Sequence, residues 1–427
     1  MTTPENPGPA IPTGGRPAAM RFIMLTVLID MVSIGLIIPV LPPLVGTFTS
    51  SPTEQTFWYG AVAFAFGFAN FLSSPVLGGL SDKYGRRPVL LLGFCALALS
   101  FFITALATAL WVLIVVRLFS GAMQSNISIA NAYVADITAP EQRAKQFGML
   151  GAMFGVGFIL GPVMGGLLGA ISLQLPFFVA GGLALLNLLY GYYVLPESLP
   201  AARRRRFEWS AANPVASLRT LSQLKGVGLL VGVIACSGLA QFVMYTTWVL
   251  YTTFKFGWGP LENGWSLFAT GVASAIVQGL LLGRLLKRFS PQRLAVAGLV
   301  SSTIAYALWG AATQGWMMYA IVFLNLLGFT VTASIQSIIS GAADATTQGR
   351  TMGSVTSLNS LMAVIAPVLG APLLGVVSEF PRGDWRIGAP FYFCAALQLV
   401  ALLLAWIHFR GARRARHAAR AAAGSLV

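Results

Sequence analysis

The chain reads as an all-α membrane protein of twelve transmembrane helices, and three observations carry that reading. Of its 427 residues, 56% are hydrophobic and only 9% charged, whereas a soluble domain carries roughly a quarter charged residues. Mean hydropathy is +0.77. Apolar runs of about 20 residues, the length that crosses a bilayer core as a helix, recur from one end of the sequence to the other.

Taken in order, the spans fall near 21–45, 56–80, 88–109, 111–134, 145–171 and 175–195, then 226–252, 263–285, 293–313, 315–338, 351–378 and 388–409. The first is the first apolar run of the chain and follows a Pro/Gly-rich tail, Met1–Ala19, that lacks the core of a cleavable signal peptide. The second and third are joined by a short charged turn. The fourth carries Arg117 and the fifth is rich in glycine. The sixth ends before a run of four arginines, Arg203–Arg206. The seventh to twelfth hold no Asp or Glu in their interiors.

The loops sort the charge. With both termini in the cytoplasm, 23 of the 27 Lys and Arg residues lie in cytoplasmic segments; only Lys255, Arg382 and Arg386 fall outside, and Arg117 lies within a span. Retention of Lys and Arg on the cytoplasmic side sets this orientation. The net charge of +15 therefore punctuates apolar segments, and no nucleic-acid face is expected. Cys95, Cys236 and Cys394 lie in separate spans and read as small core residues. No cluster has metal-ligand spacing, and no loop has the Walker pattern of an ATP site. His408 and His417 lie at or beyond the end of the last span.

The sequence also repeats. Gly78 and Gly283, Gly93 and Gly298, Pro162 and Pro367, and Gly165 and Gly370 are each 205 residues apart. Two six-helix halves are expected, at 21–199 and 225–410, between cytoplasmic tails 1–20 and 411–427. A basic linker, 200–224, joins them. Its arginines read either as topogenic charge or as a contact to anionic headgroups.

The hairpin Gly78-Gly79-Leu80-Ser81-Asp82-Lys83-Tyr84-Gly85-Arg86-Arg87-Pro88 packs opposed charges into a glycine-rich turn between two spans. Its spacing resembles the signature loop of the major facilitator superfamily, with Gly78, Asp82, Gly85, Arg86 and Arg87 in register. The corresponding second loop is degenerate, with Lys287 for Asp82 and Ser290 for Gly85. Arg117-Leu118-Phe119-Ser120-Gly121 resembles the superfamily's second motif, whose Arg is implicated in proton movement. The stretch Gly157–Gly166, with Gly157, Gly161, Pro162, Gly165 and Gly166, resembles the antiporter motif of drug exporters. Asp30–Pro42 resembles the first helix of twelve-span drug:proton antiporters, particularly the tetracycline-efflux group. The resemblance implies two pseudo-symmetric halves that rock about a central site in a bacterial inner membrane. It implies export driven by the proton gradient, with no cofactor and no enzymatic step. It also implies a latch in which Asp82 and Arg86 pair with Asp136 and engage span eleven.

Asp30 lies about nine residues into its span, roughly 13 Å deep. A carboxyl group there is costly unless protonated, paired or in a water-filled cavity. Such a group changes protonation easily and suits proton coupling; a structural acid bonded to a neighbouring helix is the other reading. Arg117, roughly 10 Å from the outer boundary, is the cation expected to tune it, unless its side chain snorkels outward.

For the substrate cavity the polar and aromatic residues inside apolar spans are the candidates: Gln124, Asn126, Asn131, Gln241, Tyr245, Trp248, Gln278, Asn325, Gln336 and Asn359. Tetracycline exporters resembling this chain exchange a metal–tetracycline cation for a proton. Ser274 and Ser302 stand where many of them have a His and a membrane-embedded Asp. The substrate is therefore a small amphipathic drug, tetracycline-like or broader, with efflux of a sugar or other metabolite as the alternative and a receptor or scaffold as the reading outside transport. The expected partners are the drug, protons and the lipid bilayer, with the chain acting as a monomer.

Overall fold

The computed structural model describes residues 16–207, 228–342 and 348–424. Tail 1–15 and most of the expected linker, with Pro214, Arg219 and Lys225, lie outside the described residues. Among the described residues, eleven helices are long and apolar enough to cross a membrane, and a pair bent by 51°, Gly315–Leu324 and Leu326–Ser340, makes the twelfth span, tenth in order. The first six spans are Ala19–Gly46, Pro52–Tyr84, Arg86–Ala105, Leu110–Ile137, Lys145–Ile171 and Leu175–Val194. The seventh to ninth are Gly228–Phe256, Pro260–Arg288 and Pro291–Ala311, and the last two Thr351–Val377 and Trp385–Gly411.

Helix starts follow their sequence signals. Span two opens at Ser51, whose side chain accepts a bond from the Glu54 amide, with Pro52 in its first turn. Span nine opens the same way at Ser290 and Pro291. Pro in the first turn costs no hydrogen bond, because those amides are orphaned in any helix.

Three spans expected as single runs are interrupted. Span one breaks around Pro39, between Ile37 and Leu41, and span four breaks at Gln124 and Ser125. Span ten breaks at Asn325, followed by a short 3₁₀ turn over Leu326–Thr330. Apolar content set the expectation of continuity, but a proline carries the first break and polar side chains the other two. Backbone groups freed inside a membrane must find other partners. Asn70 of span two donates to the Gln124 carbonyl and, at 3.4 Å, to that of Gly121. Span eight holds a wider π turn at Val277–Leu281.

Packing repeats as the sequence does. Span one packs on five and six and span three on six in the first half; seven on eleven and nine on twelve do so in the second. Gly165 of span five rests against the Leu36 carbonyl of span one. Its repeat partner Gly370 rests against Val243 and Thr247 of span seven. One cysteine departs from expectation: Cys394 is buried, but Cys95 is exposed on the bundle surface. Lipid is as apolar as the core, so a thiol sits equally well on either side.

The halves meet through spans two with eleven and five with eight. At the end away from the basic loops these pairs close. A Cβ added at Gly60 would stand 2.5 Å from Ala371 Cβ, and one at Gly166 3.0 Å from Gly264 Cα. Thr53 adds bonds to the Gly375 carbonyl at 3.1 Å and the Glu379 carboxylate at 2.9 Å. Towards the base-rich end the same spans part: Cβ positions at Gly78, Gly151, Gly279 and Gly353 meet nothing within 4 Å. The molecule is a V, open at its base-rich end.

Candidate functional site

The charged hairpin is ordered by a dense set of bonds at the base-rich end. Gly85 has φ +107°, a conformation that favours glycine, and so turns span two into span three. Arg86 reaches back one helical turn to Asp82 at 2.7 Å, across to Asp136 of span four at 3.2 Å, and to Ser81 Oγ at 2.6 Å. Ser198 donates to the same Asp136 oxygen at 3.2 Å.

Glu197, just past span six, completes this set and was not foreseen from sequence. Its carboxylate accepts from the Arg86 amide at 2.8 Å and the Arg87 amide at 3.3 Å. It thus caps the start of span three, where the helix dipole favours an anion. A Cβ at residue 85 would stand 2.2 Å from that carboxylate, a second reason for glycine there. Arg87 donates to the Tyr192 carbonyl at 2.6 Å, and the Arg205 amide to the Asp82 carbonyl at 3.1 Å. The signal available in sequence was an acid six residues ahead of the basic run Arg203–Arg206.

The expected engagement of span eleven is absent in this conformation: among the described residues, Asp82, Arg86 and Asp136 bond only with the first half and the start of the linker. The parted ends of spans two and eleven leave no surface for such a latch in this conformation. The second loop holds no ion pair among the described residues, as Lys287 in place of Asp82 implies.

Asp30 and Arg117, expected to act together, are separate. Asp30 is buried and accepts from Asn126 Nδ2 at 3.3 Å. Asn126 opens the second segment of span four, whereas Arg117 belongs to the first, on the far side of the break. Asn126 was expected in the substrate cavity; it is buried against Gly93, 2.1 Å from the position of an added Cβ, and lines neither cavity described below. Depth along a span was readable from sequence, but the direction a side chain takes around it was not.

The antiporter glycines divide into two sets. Gly157, Gly161 and Gly165, one per helical turn, face span one: Cβ atoms there would stand 2.5 Å from Met31 Cβ, 2.6 Å from Gly35 Cα and 2.1 Å from the Leu36 carbonyl. Pro162 lies beside Gly35. Gly166 faces the other way, onto Pro260 and Gly264 of span eight. One helix therefore holds its own half together and meets the other half.

Among the described residues, one cavity lies where the halves join and another within the second half. The first, of about 310 Å³, is lined by Ile34, Ile38, Tyr59, Phe66, Phe101, Phe158, Tyr245, Trp248 and Leu267, with Arg117, Ser100, Ser120, Gln124 and Thr246 adding polar groups. The second, of about 330 Å³, lies within the second half and is more polar, with Gln241, Ser274, Gln278, Ser302, Asn325, Gln336 and Gln398. Tyr245 borders both. Of the residues singled out in the sequence, Gln124, Tyr245 and Trp248 line the first cavity and Gln241, Tyr245, Gln278, Asn325 and Gln336 the second. Asn359 lines a third space of about 360 Å³ beside Arg117, between spans two and eleven. Asn131 is exposed. The aromatic wall of Tyr59, Phe66, Phe101 and Phe158 was missed, because an aromatic residue in an apolar span carries no mark of its own.

At the closed end, Asp384 accepts from the side chain and amide of Arg386. Those bonds hold its carboxyl below the usual carboxylate range.

Matching six-helix halves around a cavity shut at one end and reachable from the other define a membrane transporter of the alternating-access class. Residues 23–367, and in an overlapping match 230–426, fit the family model of the Major Facilitator Superfamily. The chain is 36% identical to the class C tetracycline resistance protein of Escherichia coli over 88% of its length and 94% of that protein's. It is 34% identical to the class D protein of Salmonella ordonez over the same shares. The human organic anion transporter MFSD10 superposes with a TM-score of 0.67 at 23% identity, over 93% of this chain and 100% of that one; at that identity the match speaks for the fold. The chain belongs to the major facilitator superfamily, in the tetracycline-resistance group of its twelve-span transporters.

Proposed function

We propose that this chain exports small amphipathic drugs, tetracycline-like compounds among them, in exchange for protons. The observation that carries the reading is the cavity at the junction of the halves, mostly apolar and aromatic with a few polar groups. Such a lining suits an amphipathic compound better than a sugar. The base-rich end faces the cytoplasm of a bacterial inner membrane, with both termini there, so the V open at that end is the drug-loading state. The chain works as a monomer in the bilayer, with the proton gradient in place of any cofactor or catalysed reaction.

Asp30 is the proton carrier. It does not line the cavity, so drug and proton do not compete for contact with it in this state. Instead its bond to Asn126 ties its protonation to the second segment of span four, and the first segment carries Arg117 into the cavity. Asp30→Asn is expected to bind drug but lose uptake driven by a pH gradient in inverted vesicles. Gradient-driven accumulation by that variant would route the proton elsewhere.

A further inference from the structure

We infer that the junction cavity is built for an amphipathic acid, with an anionic oxygen of the substrate, a carboxylate or enolate, seated on Arg117. The inference rests on the export reading above and names its substrate class.

Arg117 borders both the aromatic cavity and the space between spans two and eleven. Its Nε and Nη2 atoms are buried and have no hydrogen-bond partner among the described residues. Leaving charged donors so costs more than leaving neutral ones, so a site that keeps them unpaired reserves them for a ligand. Among the described residues neither space is lined by Asp or Glu, and Arg117 is the one charged residue lining them. Asp30 is occupied by Asn126. Tyr59 lines the same cavity without a hydrogen bond to Arg117 Nε or Nη2, and the ring of Phe66, 5.9 Å from the guanidinium carbon, offers only its face.

A cation entering this cavity meets a fixed like charge where water is scarce and fields are strong. An anion meets a planar fork of donors matched to two oxygens. The rings of Phe101, Phe158 and Trp248 can then take the apolar body. Ser274 and Ser302 line the neighbouring cavity where a carboxylate or imidazole would be needed to hold a metal-bound cation. The substrate therefore enters without a divalent metal.

The test uses the full-length protein, purified in detergent, and a matched pair of fluorescent probes: dansyl-hexanoate and dansyl-hexyl-trimethylammonium, each titrated with and without EDTA. The anion should bind roughly tenfold or more tighter, the worth of a hydrogen bond to a charged group, and EDTA should change nothing. Arg117→Gln should abolish the preference. Arg117→Lys, which keeps the charge and loses the fork, should retain part of it and guards against misfolding of the Gln variant. Equal or reversed affinities in the parent protein, a need for divalent metal, or a preference that survives Arg117→Gln would overturn the inference. Inverted vesicles separate it from the export reading. An anion that binds with this preference but is not moved by a pH gradient sinks export and leaves the site standing.

Discussion

Glu197 shows how much one side chain can organise at the residue scale. It caps span three, fills the space over Gly85 and stands 4.0 Å from Arg204, so three chain segments converge on one carboxylate. Neutralising it keeps its shape and removes its charge. Glu197→Gln should lower stability by about 1 kcal/mol, the usual worth of a helix cap, seen as a lower melting temperature of the detergent-solubilised protein. The ion pairs around Arg86 should persist in that variant, since Asp82 and Asp136 bond it independently.

At the scale of elements, span five makes an opposed pair of predictions. Gly161 sits against span one within the first half, so Gly161→Val overpacks a contact present in every state. It should cost roughly 1–3 kcal/mol and lower stability and transport together. Gly166 sits against span eight across the halves, in the closed end alone. Gly166→Val should leave the melting temperature nearly unchanged and favour the state in which that end opens. Thiol labelling of a Thr53→Cys reporter would read this as faster modification; equal rates would remove the distinction. The spans themselves were legible from sequence, because twenty apolar residues between basic loops admit few other structures. Charge asymmetry and the 205-residue repeat gave the order of the halves. The hairpin's ion pairs were legible too, since Asp82 and Arg86 are one turn apart. The partners of Asp30, Asn126 and Arg117 were not: they depend on how each helix is rotated and on the break in span four, which apolar content does not record.

For the whole molecule, the closed end is a hinge point with its own bonds, and the open end has room to close. Bringing the parted ends of spans two and eleven together would give the hairpin at Asp82 and Arg86 its missing partner surface. A disulfide between Thr53→Cys and Ser378→Cys, whose hydroxyl oxygens stand 3.2 Å apart, should hold the molecule in the present V. Transport in vesicles should stop on oxidation and return on reduction; continued transport by the crosslinked protein would mean that the closed end need not part.

The break in span ten bears on how the second half is assembled. Gly315–Leu324 is 10 residues long, half of what a helix needs to cross the hydrocarbon core, and Asn325 interrupts it at mid-depth. That residue's side-chain oxygen accepts from Ser301 of span nine at 3.0 Å. Alone in lipid, span ten would carry an amide and a broken backbone ladder with nothing to satisfy them. Released beside span nine, it has its partner at once. Spans nine and ten thus satisfy each other's polar groups as one hairpin, and the unit that is stable in the membrane here is larger than the single helix.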